Sequence, residues 1–332
     1  MVVHRKRLSL ALTAAMALAA VPAAIGGAPT PAHASATSLL AETFTHSSAG
    51  AGWTYGGKAC LTASGTNTGP IPTCTGASDT DGSGALQLTT AQGSESGFVL
   101  NNTPEPSSQG FIINFNMAAY GGTGADGISF FLVDATHSPA QAGAYGGGLG
   151  YAQSTSTSTA GIDGGYLGLG FDEFGNFAND GDGHGQGCAT RAPGATPQSV
   201  TIRGAGSGLT GYCYIASSGS LSQGISAGST RAGAVRGVRI TISPSEQIGV
   251  KIDFHDGNGY VPVIQPKNFA GLNGQPVFPA NFKFGFASST GGSTNYHEIW
   301  NLDIAPDPST LSVSSTHSDP FTPGSTGTYT LS

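Results

Sequence analysis

The sequence predicts an all-β fold, an antiparallel β-sandwich or jelly roll, and three observations lead there. Apolar residues recur with period two almost throughout. Clusters of Gly, Asn, Asp and Ser separate these runs, and no stretch after the N-terminal segment carries the 3.6-residue period of an amphipathic helix. Many short strands with one buried face, joined by turns, make a two-layer antiparallel architecture.

The strands read in order. Phe111, Ile113, Phe115 and Met117 alternate with Ile112, Asn114 and Asn116. Val238, Ile240 and Ile242 alternate with Arg239 and Thr241; Ile248, Val250, Ile252 and Phe254 alternate with Lys251, Asp253 and His255. Asp256-Gly257-Asn258-Gly259 then turns the chain into Tyr260, Val261 and Val263, a hairpin signal. Phe282, Phe284 and Phe286 form another inward row.

This sandwich is expected over residues 35–305 of the 332. Ahead of it, Arg5, Lys6 and Arg7 precede an apolar run from Leu8 to Ile25, and Ala32-His33-Ala34 has the small-x-small pattern of signal peptidase cleavage. Residues 1–34 therefore read as a signal peptide, and the protein as secreted, extracellular or at the cell surface. No later segment is apolar enough to predict a membrane span. After the sandwich, Ala305-Pro306-Asp307-Pro308 reads as a linker. Residues 306–332 resemble the opening of an immunoglobulin-like surface repeat, expected to be incomplete.

Without residues 1–34 the balance is 9 Lys+Arg against 19 Asp+Glu, or −10, where the whole chain carries −7. No basic footprint for nucleic acid and no polybasic membrane patch is present. Charged residues make up only 9% of the chain, so Ser, Thr, Asn, Gln and Gly must cover the surface. Such groups hydrogen-bond sugars as readily as water. Cys60, Cys74, Cys188 and Cys213 in an exported chain predict disulfides. Of the three pairings, Cys60–Cys74 and Cys188–Cys213 are favoured, each closing a Gly/Pro/Ser-rich loop.

Three segments carry chemistry together. Gly124-Ala125-Asp126-Gly127 places a carboxylate at the mouth of an apolar strand. Tyr145-Gly146-Gly147-Gly148-Leu149-Gly150 is a glycine turn where a backbone N–H can approach a ligand closely. No helix pattern, Lys or Arg follows to make it a phosphate cradle. In the third, Asp172, Phe174 and Asn176 share one strand face. A carboxylate, a backbone carbonyl and an amide oxygen are the hard donors calcium takes, and Asp180 and Asp182 follow in the next loop. Each segment alone reads equally well as an ordinary turn.

Together, and in this order, they resemble the L-type (legume-type) lectins, in a bacterial secreted or surface branch. A fourth segment adds to the resemblance: Phe284-Gly285-Phe286-Ala287-Ser288-Ser289-Thr290-Gly291, then His297-Glu298-Ile299-Trp300. The resemblance implies a concanavalin A-like sandwich and a calcium-dependent, non-catalytic carbohydrate-binding lectin. It implies that Asp126, after a cis peptide, accepts sugar hydroxyls, and that Gly147 donates its N–H. Phe174 would pack its ring on the sugar, and Asn176 would bond both sugar and metal. The metal set would be Asp172, Phe174, Asn176 and either Asp180 or Asp182. Plant members carry Glu where this chain has Gly170, so calcium without manganese is expected, and His184 loses its usual reason to bind metal. Glycans or glycoconjugates are the expected partners, gripped weakly enough to call for several copies through a homo-oligomer or multivalent display. The competing readings are a glycoside hydrolase on the same sandwich and a structural surface module that has lost sugar binding. For a hydrolase, Asp172 and Glu173 point to opposite strand faces, and Asp253 and Asp256 straddle a hairpin.

Overall fold

The computed structural model describes residues 37–307 and, beyond them, two short strands at Ser315–His317 and Tyr329–Leu331. The expected signal peptide lies outside the described residues, as does most of the expected linker and repeat.

The period-two runs become strands, numbered here in chain order. One sheet of eight holds β1 (Leu40–Glu42), β3 (Cys60–Leu61), β4 (Leu86–Thr89), β6 (Phe111–Tyr120), β13 (Val235–Ile242), β14 (Gln247–Asp253), β15 (Tyr260–Asn268) and β17 (Tyr296–Ala305). Its order is β15-β14-β13-β6-β17-β4-β3, with β1 also paired to β17. The other sheet holds β2 (Trp53–Gly57), β5 (Ser96–Pro106), β7 (Gly127–Asp134), β8 (Gly165–Asp172), β9 (Ser199–Arg203), β12 (Tyr214–Ser217) and β16 (Asn281–Ser289), in the order β12-β9-β8-β7-β16-β5-β2. Two small hairpins complete the set: β10 (Gly206–Ser207) with β11 (Thr210–Gly211), and β18 (Ser315–His317) with β19 (Tyr329–Leu331). Every strand pair is antiparallel, and no α-helix occurs among the described residues. The fold is the expected all-β antiparallel sandwich.

Alternation decides which face is buried. Phe111, Ile113, Phe115 and Met117 of β6 enter the core between the sheets, as do Val238, Ile240 and Ile242 of β13 and Phe282, Phe284 and Phe286 of β16. Phe115 sits at its centre, meeting Phe171 and Phe286 of the opposite sheet edge-on at 5.7 and 5.0 Å between ring centroids. The row read through Phe254 stops earlier. β14 ends at Asp253, whose Oδ1 accepts the His255 N–H at 2.8 Å and turns the chain into its hairpin.

β8 is buried at every position, because a second, smaller core lies on its outer face. Phe98, Phe131, Tyr151, Phe177 and Tyr212 build that core from strands and loops. The close approach requires glycine: a Cβ on Gly168 would lie 2.2 Å from the Tyr151 ring, and one on Gly170 2.3 Å from Phe177. The chain thus has three layers, two sheets and a shell of packed loops. Disulfides Cys60–Cys74 and Cys188–Cys213 are formed, as the loop spacing favours. No helix among the described residues is long and apolar enough to cross a membrane.

Truncating Phe115 to Ala should leave a cavity where the two sheets meet. Urea unfolding is expected to show a loss of roughly 3–5 kcal/mol.

Candidate functional site

The loop shell carries a cleft of about 390 Å³. Asp126, Gly147, Phe174 and Asn176 all line it, although they come from three separate segments, and Asp182 and His184 join them. Tyr145, Ser154, Ser156 and Thr157 and the glycine-serine turn Gly292-Ser293 also line it.

Asp126 stands where β7 begins. Its peptide bond to Ala125 is cis, its N–H donates to Ser289 O at 3.1 Å, and its carbonyl accepts the Glu173 N–H at 2.9 Å. Gly127 adopts φ +139°, and a Cβ there would lie 2.2 Å from Phe171 O, so only glycine lets β7 meet β8 so closely. The Asp126 carboxylate is buried, and its Oδ2 has no hydrogen-bond partner. Burial pushes its pKa up to about 6; nearby His297 opposes the rise, while Glu173 and Asp182 add to it.

Glu173 and His297, which sequence reasoning passed over as site residues, lie beneath Asp126. Glu173 Oε1 lies 2.6 Å from His297 Nε2, with both side chains fully buried. Asn295 Nδ2 donates to Glu173 Oε2, and His297 Nδ1 lies 2.7 Å from Thr89 Oγ1.

Asp172, one residue earlier, faces the other way. Its two oxygens accept the N–H groups of Gly175 and Phe177, each at 2.7 Å. Burial raises its pKa to about 7, although both hydrogen bonds pull the other way. Phe174 projects to the surface, while Asn176 is half-buried at the cleft wall. Gly147 packs tightly here: a Cβ on it would lie 2.5 Å from Asn176 Cβ and 2.9 Å from Asp182 Oδ2.

The two loop aspartates part company. Asp180 Oδ1 pairs with Arg203 Nη2 at 3.0 Å, and its Oδ2 accepts the Ala192 N–H at 2.8 Å. Asp182 faces the cleft. Arg203 is 0% exposed and also donates to Phe177 O at 2.6 Å and Tyr212 O at 2.8 Å. One buried guanidinium therefore withdraws Asp180 and pins the loop behind Asn176.

His184 is buried with Nδ1 on Gln153 O, and its Nε2 has no partner. Burial first, then the Arg203 charge, lowers its pKa to about 4. The neutral ring thus directs an unpaired nitrogen toward the cleft.

The charges of Glu173 and Asp182 act on Asp126, and those of Asp126 and Glu173 on Asp172, whereas Arg203 is committed to Asp180. Such buried carboxylates fit a hard divalent cation. No group of three or more His, Cys, Asp or Glu side chains among the described residues is placed to hold a metal ion by itself. Any cation held here would draw on backbone, amide and solvent oxygens as well.

No family model matches the sequence, and no curated protein matches it. Solved structures do. The exoplasmic/lumenal domain of VIP36 in its Ca2+/Man3GlcNAc-bound form aligns at 13% identity over 77% of this chain and 86% of that one, with a TM-score of 0.45. Metal-free lectin I-B4 from Griffonia simplicifolia aligns at 17% over 76% and 92%, TM-score 0.47. Arcelin-5, a lectin-like defense protein from Phaseolus vulgaris, aligns at 14% over 82% and 98%, TM-score 0.48. The likeness is one of fold alone.

Two outcomes follow from these electrostatics. The folded-state pKa values of Asp126 and Asp172, about 6 and about 7, lie above the ordinary 3.8. Between pH 4 and 7 the metal-free folded chain then binds more protons than the unfolded one, so its stability falls as pH rises. His184, held neutral with its pKa near 4, offsets part of this loss, because the unfolded chain protonates it more readily. Urea titrations in metal-free buffer should therefore show a net drop of roughly 2 kcal/mol from pH 5 to 8, with a shallower slope in Asp126→Asn. Arg203→Met should cost about 3–5 kcal/mol by leaving Asp180 buried and unpaired, measured by the same unfolding experiment.

Proposed function

We propose that this chain is a calcium-dependent, non-catalytic carbohydrate-binding lectin, exported and acting as a secreted or surface adhesin. The observation that carries the reading is the convergence of Asp126, Gly147, Phe174 and Asn176 on one cleft.

In this reading Asp126 Oδ2, buried and unpaired, accepts hydrogen bonds from sugar hydroxyls. Gly147 lends its backbone N–H, and the exposed Phe174 ring covers the apolar face of the sugar. Asn176 hydrogen-bonds a hydroxyl through its amide nitrogen. Asp172, the Phe174 carbonyl, the Asn176 oxygen and Asp182 form the metal set, since Asp180 is bound to Arg203. Calcium supplies the charge that lets these carboxylates stay ionised while buried. Manganese has no part in this reading: the carboxylate of the plant pattern is missing at Gly170, where the Phe177 ring fills the space a side chain would need. A shallow grip of this kind has a Kd near millimolar, about −4 kcal/mol, so multivalent display or a homo-oligomer would make it useful.

Hydrolysis is the second reading, favoured by one observation: Asp126, with its pKa near 6, shares the cleft with Asp182. The other acids offer less. Glu173 is sealed against His297, and Asp256 is held by Gln223 and Asn258 in a hairpin turn.

A glycan array with the full chain clustered on beads, run in calcium and in EDTA, tests both. Binding should require calcium and disappear in Asp126→Ala, which loses a charged acceptor contributing about 1.5–3 kcal/mol. Absence of binding under every condition would leave a structural surface module as the better account, and cleavage of the bound glycan would establish the hydrolase.

A further inference from the structure

The eight-stranded sheet carries a separate pocket of about 370 Å³. β17 divides its side chains between the two sites by strand alternation. His297 turns to Glu173 beneath the cleft, while Tyr296 and Glu298 line the second pocket. Pairing sets Gln87 of β4 beside Glu298, and Tyr120 of β6 beside Tyr296, so these four share one surface.

Arg231, from the turn before β13, closes over that surface. Its Nε and Nη2 donate to the two Glu298 oxygens, and its Nη1 donates to Asp79 Oδ2 at 2.7 Å. No other charged side chain among the described residues lines the pocket. One guanidinium thus faces two carboxylates, and one negative charge is left over. The Glu298 side chain is 2% exposed and that of Asp79 30%, so the spare charge rests on the accessible Asp79.

The remaining polar groups are short of donors. Asp79 Oδ1 and Gln87 Oε1 accept no hydrogen bond among the described residues, and Gln87 Nε2 reaches only the sulfurs of Cys60 and Cys74 at 3.7 and 3.8 Å. Thr90 has given its hydroxyl proton to Glu95 and keeps its lone pairs. Beside these acceptors the Tyr120 and Tyr296 rings stack at 5.4 Å and 22°, and the Tyr120 hydroxyl is held by Glu298. The result is a flat aromatic plate next to an unneutralised carboxylate. An anion would be repelled there, and a neutral ligand would leave the charge unpaired. A primary ammonium brings one positive charge and three donors with no acceptor, and its stem or its charge can lie on the rings.

We propose that this pocket binds a primary ammonium on an unbranched apolar stem, the chemistry of a lysine side chain presented by another protein. It shares no lining residue with the cleft, and the carbohydrate reading stands or falls apart from it.

Titrating Nα-acetyl-lysine-N-methylamide into the full chain, followed by protein NMR, tests the site. Saturable binding near millimolar is expected, equal in calcium and in EDTA and weakened by added salt. The Nε-acetylated probe, tetramethylammonium (which has no N–H) and glucosamine (which has no stem) should each bind about tenfold or more weakly. Asp79→Asn keeps an oxygen for Arg231 but removes the spare charge, and should weaken the lysine probe about tenfold. Tyr296→Ala should weaken it about two- to fivefold, and Tyr296→Phe should retain it. Glycan binding in calcium should be unchanged in Asp79→Asn. No binding of the lysine probe, equal binding of any control probe, or full affinity in Asp79→Asn would overturn the site and leave the carbohydrate reading intact. Lysine binding without glycan binding would sink the carbohydrate reading alone.

Discussion

The geometry of the cleft depends on the buried contact between Glu173 and His297. Glu173 follows Asp172 at the end of β8, and its backbone N–H holds the carbonyl of Asp126. Its carboxylate reaches His297 and Asn295 on the far side of the 289–297 turn. Asn295 in turn accepts the Gly122 N–H at 2.7 Å, tethering the segment that leads to Asp126. Segments far apart in sequence are thus joined below the cleft by one carboxylate and its partners. Removing one member of such a buried pair costs about 3–5 kcal/mol because the other is left uncompensated. Burial, which makes the tether strong, also raises the pKa of Asp126 above it.

What the sequence disclosed follows from how local each signal was. β6, β13, β14 and β16 present one face to the inter-sheet core, and their alternation shows in the residues. β8 is different. It alternates Gly with large apolar residues because one face meets the main core and the other meets rings from distant loops. Nothing within the strand announces that second contact. The same distinction divides the site. Asp126, Gly147, Phe174 and Asn176 were legible as turn chemistry in the right order, and all four border the cleft. That Asp180 turns to Arg203 while Asp182 faces the cleft was not legible, since Arg203 lies 23 residues beyond Asp180 on β9. The Glu173–His297 contact spans 124 residues, and each partner reads locally as one more polar residue in a strand. His184 was passed over once Gly170 removed its expected partner, yet its position is set by Gln153 O and the cleft wall.

Arg203 also shows how a loop can be held in place. Its guanidinium reaches the carbonyls of Phe177 and Tyr212 and the Asp180 carboxylate, and lies 5.6 Å from the Phe177 ring centroid. A planar donor with five N–H groups can serve several acceptors at once where an ammonium would act as a point charge. The segment from Asn176 to Gly183 therefore has internal support as well as its hydrogen bonds to Asp172.

The glycine gaps along β8 have a consequence for how such a protein can change over time. By admitting Tyr151 and Phe177 against the strand backbone, they give the loops a hydrophobic centre of their own, distinct from the one between the sheets. The loop shell and the inter-sheet frame consequently have separate apolar cores. Exposed rim residues such as Tyr145 and Phe174 belong to neither core, so the wall of the cleft can be altered by drift on an unchanged frame.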